Sequence, residues 1–285
     1  GGAGLDWIAG LAPAVRAQAD HPDLRPTLAR LRLMRAADEV DGAACLEQGS
    51  AVLDARPGCE RPYLLRRALA CADADPKTDP EALARWQRAQ TGALEKLVDT
   101  RVLRQPDPSP APAPAPACAD RRSAVLMLAE LHRRNGSPDA RQALLRRAAD
   151  HYRAGIGEGP GADRSVADNL RVVLEALDDR QAYQALMPRL IAQWPDDYVY
   201  PYRYGRYRLE RGEPQAALPL LEQAAGLAYG ENRLRVAELR VRALMALDRA
   251  DEARRVAAQT LRLNGPWFPE RVTAIKAALE DGSLN

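Results

Sequence analysis

The C-terminal half of the chain repeats itself with a period of 34 residues. Segments 164–197 and 198–231 carry small, apolar and helix-breaking residues in the same register, and a third copy follows slightly out of period. The residues that mark the three copies are Leu190, Trp194 and Pro195, then Gly205, Gly212, Ala217, Leu221, Ala224 and Leu227, and then Ala237, Leu244, Ala253, Ala257, Leu263, Gly265 and Pro266. A fixed period of this length indicates stacked helical hairpins, because one hairpin cannot bury its apolar face alone.

Each unit of such a stack requires two amphipathic helices that pack antiparallel. We expect Gly205, Ala217 and Ala224 to lie where two helices touch, because small residues let the backbones approach each other. Pro195 and Pro266 suit the ends of units, since proline cannot continue a helix.

These residues resemble the tetratricopeptide repeat family, most closely over 164–265 and less closely over 122–155. The resemblance implies an all-α fold, a right-handed α-α superhelix of antiparallel helix pairs. Where the family carries an aromatic residue near the start of the first helix, this chain has Ala167, Pro201 and Ala237. The resemblance also implies a concave inner surface lined by the first helix of each pair.

The composition agrees with a soluble helical protein. Hydrophobic residues make up 46% and charged residues 28% of the chain, and no uncharged apolar run approaches the roughly 18 residues of a membrane helix. Only 5% of residues are aromatic, so the core must be built from Leu, Ala and Val, which favours close helix packing. The net charge of +2 argues neither for nor against a polyanionic partner, and we expect no nucleic-acid partner and no membrane insertion.

Four segments follow from the pattern. We expect residues 1–4 to be a remnant of cloning, 5–105 to be degenerate helical hairpins, 106–119 to be a linker or loop, and 120–285 to be the repeat domain. The linker contains the run PDPSPAPAPAPA, which favours polyproline II. A glycine-rich break at 155–161 lacks the preceding strand and the Lys-Ser/Thr of a phosphate-binding loop, so we interpret it as a hinge between stacks.

Apolar periodicity, capping residues and prolines predict the individual helices. In particular, Asp41 is predicted to cap one helix, and Leu64, Leu65, Leu69 and Ala70 are predicted to form the buried stripe of another. The predicted helices span residues 5–19, 26–37, 41–55, 62–72, 80–103, 121–135, 138–154, 164–177, 180–194, 199–211, 214–228, 232–247, 250–263 and 268–280.

The four cysteines allow two interpretations: buried thiols in a cytosolic protein, or two disulfides in an oxidising compartment. Their spacing fits no zinc pattern. Cys45 and Cys71 each lie about thirteen residues from a turn at 56–58. An antiparallel hairpin therefore places them at the same height, where their Cα atoms can approach to the roughly 4.4–6.8 Å of a disulfide. Cys59 and Cys118 would then pair, and a bridge from Cys71 to Cys118 is the alternative.

The sequence contains no convincing catalytic set. His21, His132 and His151 belong to no metal motif, and neither H-E-x-x-H nor G-x-S-x-G occurs. The acidic pairs 178–179 and 196–197 fall at turns, where aspartate caps the next helix. We therefore expect no catalytic residue, no metal and no cofactor.

A tyrosine cluster at 198–207 contains a core face and a second face. Tyr200, Tyr204 and Tyr207 share one side of a helix and are predicted to be core residues. The resemblance places other residues on the inner surface, namely Arg133, Asn169, Val172, Tyr202, Arg203, Arg206, Leu209, Arg235, Glu238 and Arg242. An arginine-rich groove of this kind suits an extended acidic peptide, a chain terminus or an anionic glycan. The alternative is a solvated face of arginine-rich helices.

Three classes of function remain open. The first is a non-enzymatic protein–protein interaction scaffold, which we expect in a bacterial cell-envelope assembly for secretion or polysaccharide export, and hence in the periplasm. The second is a regulatory or sensory module of a larger cytoplasmic kinase or transcription regulator. The third is an enzyme whose site the repeat pattern obscures.

Overall fold

A computed structural model describes residues 25–55, 61–103, 121–157, 159–264 and 267–281. Over these residues the protein is all-α, with thirteen α-helices and no strand, which confirms the predicted fold class. The predicted helix at 5–19, the segment 106–119 and the second cysteine pair, Cys59 and Cys118, lie outside the described residues. None of the described helices has the length and apolar character that a bilayer crossing requires.

The chain divides into two compact units between Asp179 and Arg180. The described part of the first unit contains α1 (Arg25–Glu39), α2 (Gly42–Ala55), α3 (Arg61–Ala74), α4 (Pro80–Leu97), α5 (Arg121–Arg134), α6 (Pro138–Gly155) and α7 (Arg164–Leu177). The described part of the second contains α8 (Arg180–Gln193), α9 (Val199–Glu210), α10 (Pro214–Leu227), α11 (Glu231–Met245), α12 (Ala250–Asn264) and α13 (Pro269–Asp281).

The predicted helices agree with the observed bounds to within two residues, with one exception. The helix predicted to reach residue 103 ends as an α-helix at Leu97 and continues as a π-helical turn, Val98–Val102. Aspartates begin several helices, because a carboxylate satisfies backbone N–H groups that have no partner in the first turn. Asp41 accepts from the Ala44 N–H at 2.9 Å, as predicted, and Asp79 caps α4 in the same way.

Consecutive helices pack against each other within each unit. In the first unit α1 contacts α2, α2 contacts α3, α5 contacts α6 and α6 contacts α7, while α3 also contacts α1 and α5. In the second, α9, α10, α11 and α12 contact one another in sequence, and α13 packs on α11. This pairing of neighbours is consistent with a helical solenoid. The repeat at 164–197 is divided, because α7 ends the first unit and α8 begins the second.

Two expectations about the first unit need correction. The glycine-rich break at 155–161 connects α6 to α7, which pack together in one unit, and the Asp163 N–H donates to the Ile156 carbonyl at 2.7 Å across it. The division of the chain falls later, so the break is a closed turn inside a unit. Ala70 is exposed, because α3 and α5 leave an open cleft at its level. The predicted domain boundaries at 105 and 120 stay predictions, since they lie beside residues that are not described.

The closest helix contact in the second unit lies at Gly205. A Cβ atom at this position would stand 2.7 Å from Leu221 Cγ and 3.3 Å from the Ala217 carbonyl oxygen. Leu221 and Ala217 are fully buried, so neither can move away easily. This confirms the prediction that small residues lie where the two helices of this repeat touch.

Gly205→Ala should therefore destabilise the protein. Overpacking costs about 1–3 kcal/mol and the gain in helix propensity returns about 1 kcal/mol, so we expect a net loss of up to about 2 kcal/mol in the free energy of unfolding. Urea denaturation followed by circular dichroism measures it. The matched control is Gly226→Ala on α10, where nothing lies within 4 Å of the added Cβ. Equal effects of the two changes would show that α9 and α10 are not in close contact.

A disulfide joins α2 to α3. Cys45 and Cys71 are bonded, with Cα atoms 6.3 Å apart, and both side chains are buried. The pairing predicted from the hairpin symmetry is thus confirmed. The Trp86 indole N–H donates to Ser50 Oγ at 2.7 Å, which ties α4 to the same part of α2.

Breaking this bond should lower stability substantially. A bridge between residues that are 26 positions apart restricts the unfolded chain by about 3.5 kcal/mol at 25 °C in the loop-entropy treatment. We expect Cys45→Ser combined with Cys71→Ser to lose about 2–4 kcal/mol, measured by urea denaturation without reductant. Adding a reductant should lower the stability of the native protein by more than that of the double variant, in which a Cys59–Cys118 bond is the only remaining target. If the double variant matches the native protein, the bridge makes no contribution.

Candidate functional site

Of the ten residues predicted to line the inner surface, all but the aliphatic Val172 and Leu209 are candidates for polar contacts with a partner, and these eight fall into two groups. Arg133 on α5 and Asn169 on α7 belong to the first unit. The structure brings the other six together on the neighbouring first helices of two hairpins in the second unit, α9 and α11. These are Tyr202, Arg203, Arg206, Arg235, Glu238 and Arg242.

The two first-unit residues offer little to a partner. Arg133 donates to both carboxylate oxygens of Glu130, at 2.8 and 2.6 Å. Asn169 is only 8% exposed. Glu130 also accepts from Arg134 Nε at 2.8 Å. The hydrogen bond from Arg133, supported by that from Arg134, lowers the pKa of Glu130 to about 2.

This shift predicts a pH dependence of stability. Because the pKa of Glu130 in the folded protein lies below its ordinary value of 4.5, folding favours the ionised carboxylate. Its contribution is complete above pH 4.5 and is lost as the pH falls towards 2. We expect Glu130→Gln to narrow the difference in urea midpoint between pH 6 and pH 3. Glu81→Gln, which removes a carboxylate that is 86% exposed, is the control. If Glu130→Gln shows the same difference in urea midpoint between pH 6 and pH 3 as the native protein, the ion pairs of Glu130 are not the cause of that difference.

In the second unit, the buried face of α9 fixes the direction of its outer face. Tyr200, Tyr204 and Tyr207 are buried, as predicted. The Tyr207 ring stacks on Tyr183 of α8, with ring centroids 4.1 Å apart, and the Arg211 guanidinium lies 3.7 Å from the centroid of Tyr207. This aromatic packing holds α9 against α8.

The charged residues of α11 form an ion-pair network with α13. Arg235 pairs with Glu231 at 3.0 Å and Arg242 with Glu238 at 2.8 Å. Arg271 of α13 bonds to Glu231 at 2.8 Å and lies 3.9 Å from Glu238. The pair of Arg235 with Glu231 is largely exposed, and pairs of that kind contribute little to stability, so the carboxylate of a partner can replace it at small cost.

Arg203 differs from the other predicted arginines. Arg206 pairs with Glu210 at 3.3 Å, but Arg203 has no carboxylate partner among the described residues. Its guanidinium carbon lies 5.7 Å from the Tyr202 ring centroid, within cation–π range. Its Nε is buried and has no acceptor in the described part of the chain. The buried Nε cannot reach a ligand, so the donors that Arg203 can offer are those of its two terminal NH2 groups.

Two further tyrosines extend this surface. The Tyr198 ring lies 6.5 Å from Tyr202 and 5.7 Å from Tyr229, which it meets edge to face. We call Tyr198, Tyr202, Tyr229, Arg203 and Arg235 the tyrosine–arginine patch. Tyr229 is 67% exposed. Tyr198 and Tyr202 rest on a small apolar cluster formed by Ala224, Ala225, Ala228 and Val236.

The surroundings of Tyr198 keep its hydroxyl protonated, and they include two positive charges. Burial raises the pKa of the Tyr198 hydroxyl, Tyr229 and Asp197 raise it further, and the positive charges of Arg203 and Arg235 oppose the rise. The phenol is therefore protonated at neutral pH and can donate a hydrogen bond. Arg203 and Arg235, which belong to different helices, both contribute positive charge at this hydroxyl.

Sequence reasoning missed three residues of this region. The sequence singles out Tyr198 only as a member of the tyrosine cluster, and no sequence pattern points to Tyr229 or Arg271. Tyr229 carried a weak signal, since it stands beside Gly230, whose φ of +54° marks the short turn between α10 and α11. An aromatic residue in such a turn is placed to remain exposed.

Asp197 and the described histidine side chains, which the sequence offered as candidates, interact with neighbouring residues of the protein. Asp197 accepts from the Val199 N–H at 3.0 Å, in agreement with its predicted capping role. His132 is buried with its Nε2 3.6 Å from Glu95, and His151 lies against the Tyr152 ring. In the part of the chain that the structure describes, no three His, Cys, Asp or Glu side chains are grouped so as to hold a metal ion.

Comparison with known proteins does not assign the chain to a family. No protein-family model matches it, and no curated protein shows significant similarity to it. Inferences about function therefore rest on the geometry described above.

Proposed function

We propose that the protein is a non-enzymatic interaction scaffold of tetratricopeptide-like helical repeats, and that the tyrosine–arginine patch binds an acidic segment of a partner protein. The observation that carries the proposal is the state of Arg203, a cation that lies against the Tyr202 ring without a carboxylate partner among the described residues. Arg235 and two more tyrosines lie beside it.

The chemistry of the patch selects among the possible ligands. Guanidinium groups only donate hydrogen bonds, and they bind carboxylates in short, charge-assisted pairs. A glycan presents hydroxyl groups that need acceptors as well as donors, so it uses this surface less fully. Tyrosines supply contact area at low entropic cost, which suits the side chains between two acidic residues. An extended acidic peptide satisfies both features.

We further propose that the protein works in an oxidising, extracytoplasmic compartment such as the bacterial periplasm. The Cys45–Cys71 bond supports this location, because disulfides persist in oxidising environments and are rare in the cytosol. A cell-envelope assembly for secretion or polysaccharide export would supply protein partners there. A regulatory module of a larger cytoplasmic protein is the second candidate, and it requires that both cysteines be reduced in the cell.

A charge-reversal experiment tests the patch. The probe is a fluorescein-labelled peptide of alternating glutamate and alanine, and fluorescence anisotropy at low salt measures its binding. We expect Arg203→Glu combined with Arg235→Glu to weaken binding at least tenfold, because both cations are lost and two repulsive charges replace them. Tyr229→Ala should weaken binding several-fold, since it removes contact area from an exposed position.

The control is Arg254→Glu combined with Arg262→Glu on α12, which changes the net charge equally. Both control residues are exposed, and Arg254 pairs only with the exposed Asp251 among the described residues. Helicity is compared by circular dichroism for every variant. If both double variants weaken peptide binding equally, the change in net charge alone explains the loss of binding. Unchanged binding in the patch variant would refute the proposed site.

A further inference from the structure

A second candidate site lies in the first unit, in a cleft between α3 and α5 of about 210 Å³. We call it the α3–α5 cleft. Its floor is apolar and comes from both helices: Leu69 and Ala70 of α3, and Leu126 and Met127 of α5. Ala70, expected to be buried, is exposed here, because no side chain of the described residues fills the space in front of it.

One end of the cleft is closed by charges that satisfy one another. Arg134 of α5 donates to both carboxylate oxygens of Asp73 of α3, at 2.9 and 2.6 Å. Arg134 also donates to Glu130 at 2.8 Å, and Glu130 is held by Arg133. This cluster joins the two helices and leaves no unpaired carboxylate at that end.

The other end carries an unpaired cation. Arg66 lines the cleft, is exposed, and has no ion-pair partner among the described residues. It stands three and four positions before Leu69 and Ala70 on α3, which places its Cβ about 5–6 Å from theirs on the same face. The cleft therefore combines an apolar floor with one available positive charge, one helical turn away.

The volume of the cleft decides what kind of ligand fits. Sites for small molecules usually measure about 300–1,000 Å³, so 210 Å³ is too small for one. It suits a single side chain that enters from a partner, as in the central pockets of protein interfaces. The cleft is walled by two helices, which also matches the binding mode in which an amphipathic helix lies in a groove.

We propose that the α3–α5 cleft binds an amphipathic helix of a partner protein, which inserts one aliphatic side chain above Ala70 and presents an acidic residue to Arg66. On a helix, residues three or four positions apart are about 5–6 Å from each other, which equals the spacing between Arg66 and the apolar floor. This site goes beyond the proposed function, since it belongs to the other unit and recognises an apolar anchor.

A displayed peptide library tests this inference. The probe is a phage library of 16-residue helix-forming peptides, randomised on one face and selected on the native protein. Enriched peptides should carry an aliphatic residue with Asp or Glu three or four positions away. Synthetic copies should bind Arg66→Glu and Ala70→Trp at least tenfold more weakly, because the first change repels the acid and the second fills the cleft.

The control is Arg85→Glu on α4, an equal charge change at a residue that is 62% exposed. In the native protein the peptide should shift the Met127 methyl resonance and leave those of Met187 and Met245 in place. Arg66→Glu alters only an exposed residue, so it stays informative if Ala70→Trp misfolds. No enrichment of the aliphatic–acidic pattern, or equal binding to Arg66→Glu and the native protein, would overturn the proposal. Arg203→Glu with Arg235→Glu should bind these peptides normally, which separates the two proposed sites.

Discussion

The second unit depends on how closely α9 can approach α10. Gly205 allows this approach, since a single added carbon atom there would overlap Leu221. Leu221 packs against one side of α9, and the stacked rings of Tyr183 and Tyr207 hold another side. Together these contacts fix the rotation of α9 about its own axis. Tyr202 and Arg203 then lie on the partly exposed side of α9, because Tyr200, Tyr204 and Tyr207 form its buried side. The surface chemistry is thus a consequence of core packing.

Most of the arginines on this surface are already engaged within the protein. Their partners are acidic residues one turn away on the same helix, and Arg271 adds a link from α13 to α11. Such pairs keep an arginine-rich surface soluble and lower its attraction for anions in general. A specific ligand binds most favourably to an arginine that has no ion-pair partner within the protein. Among the described residues, Arg203 in the second unit and Arg66 in the first have no such partner, and each lies beside apolar or aromatic surface.

The sequence predicted the helices and their pairing well, because both depend on local signals. Periodic apolar residues, aspartate caps and prolines determine where a helix begins and ends, and Cys45 and Cys71 follow from the symmetry of a hairpin. Burial was harder to predict. Periodicity identifies the apolar face of α3, but whether Ala70 is covered depends on how far α5 stands away.

The candidate sites were predictable only in part for the same reason. The outward face of α9 follows from its sequence, whereas the contact of Tyr198 with Tyr229 depends on the turn that brings α11 back beside α9. The bond from Arg271 to Glu231 joins residues that are 40 positions apart, so no local pattern contains it. Pairs one turn apart follow from local sequence, whereas pairs between helices, such as that of Arg271, depend on distant contacts.

The position of the Cys45–Cys71 bond has a mechanical consequence. It joins α2 to α3, the two helices of the hairpin from which the pairing is predicted, so it locks that hairpin covalently. If the protein were pulled from its ends, the 25 residues between the two cysteines could not be drawn out. The bond therefore shortens the length to which the chain can be extended by about 90 Å. The helices that follow Cys71 are not restrained by it and can still be extended.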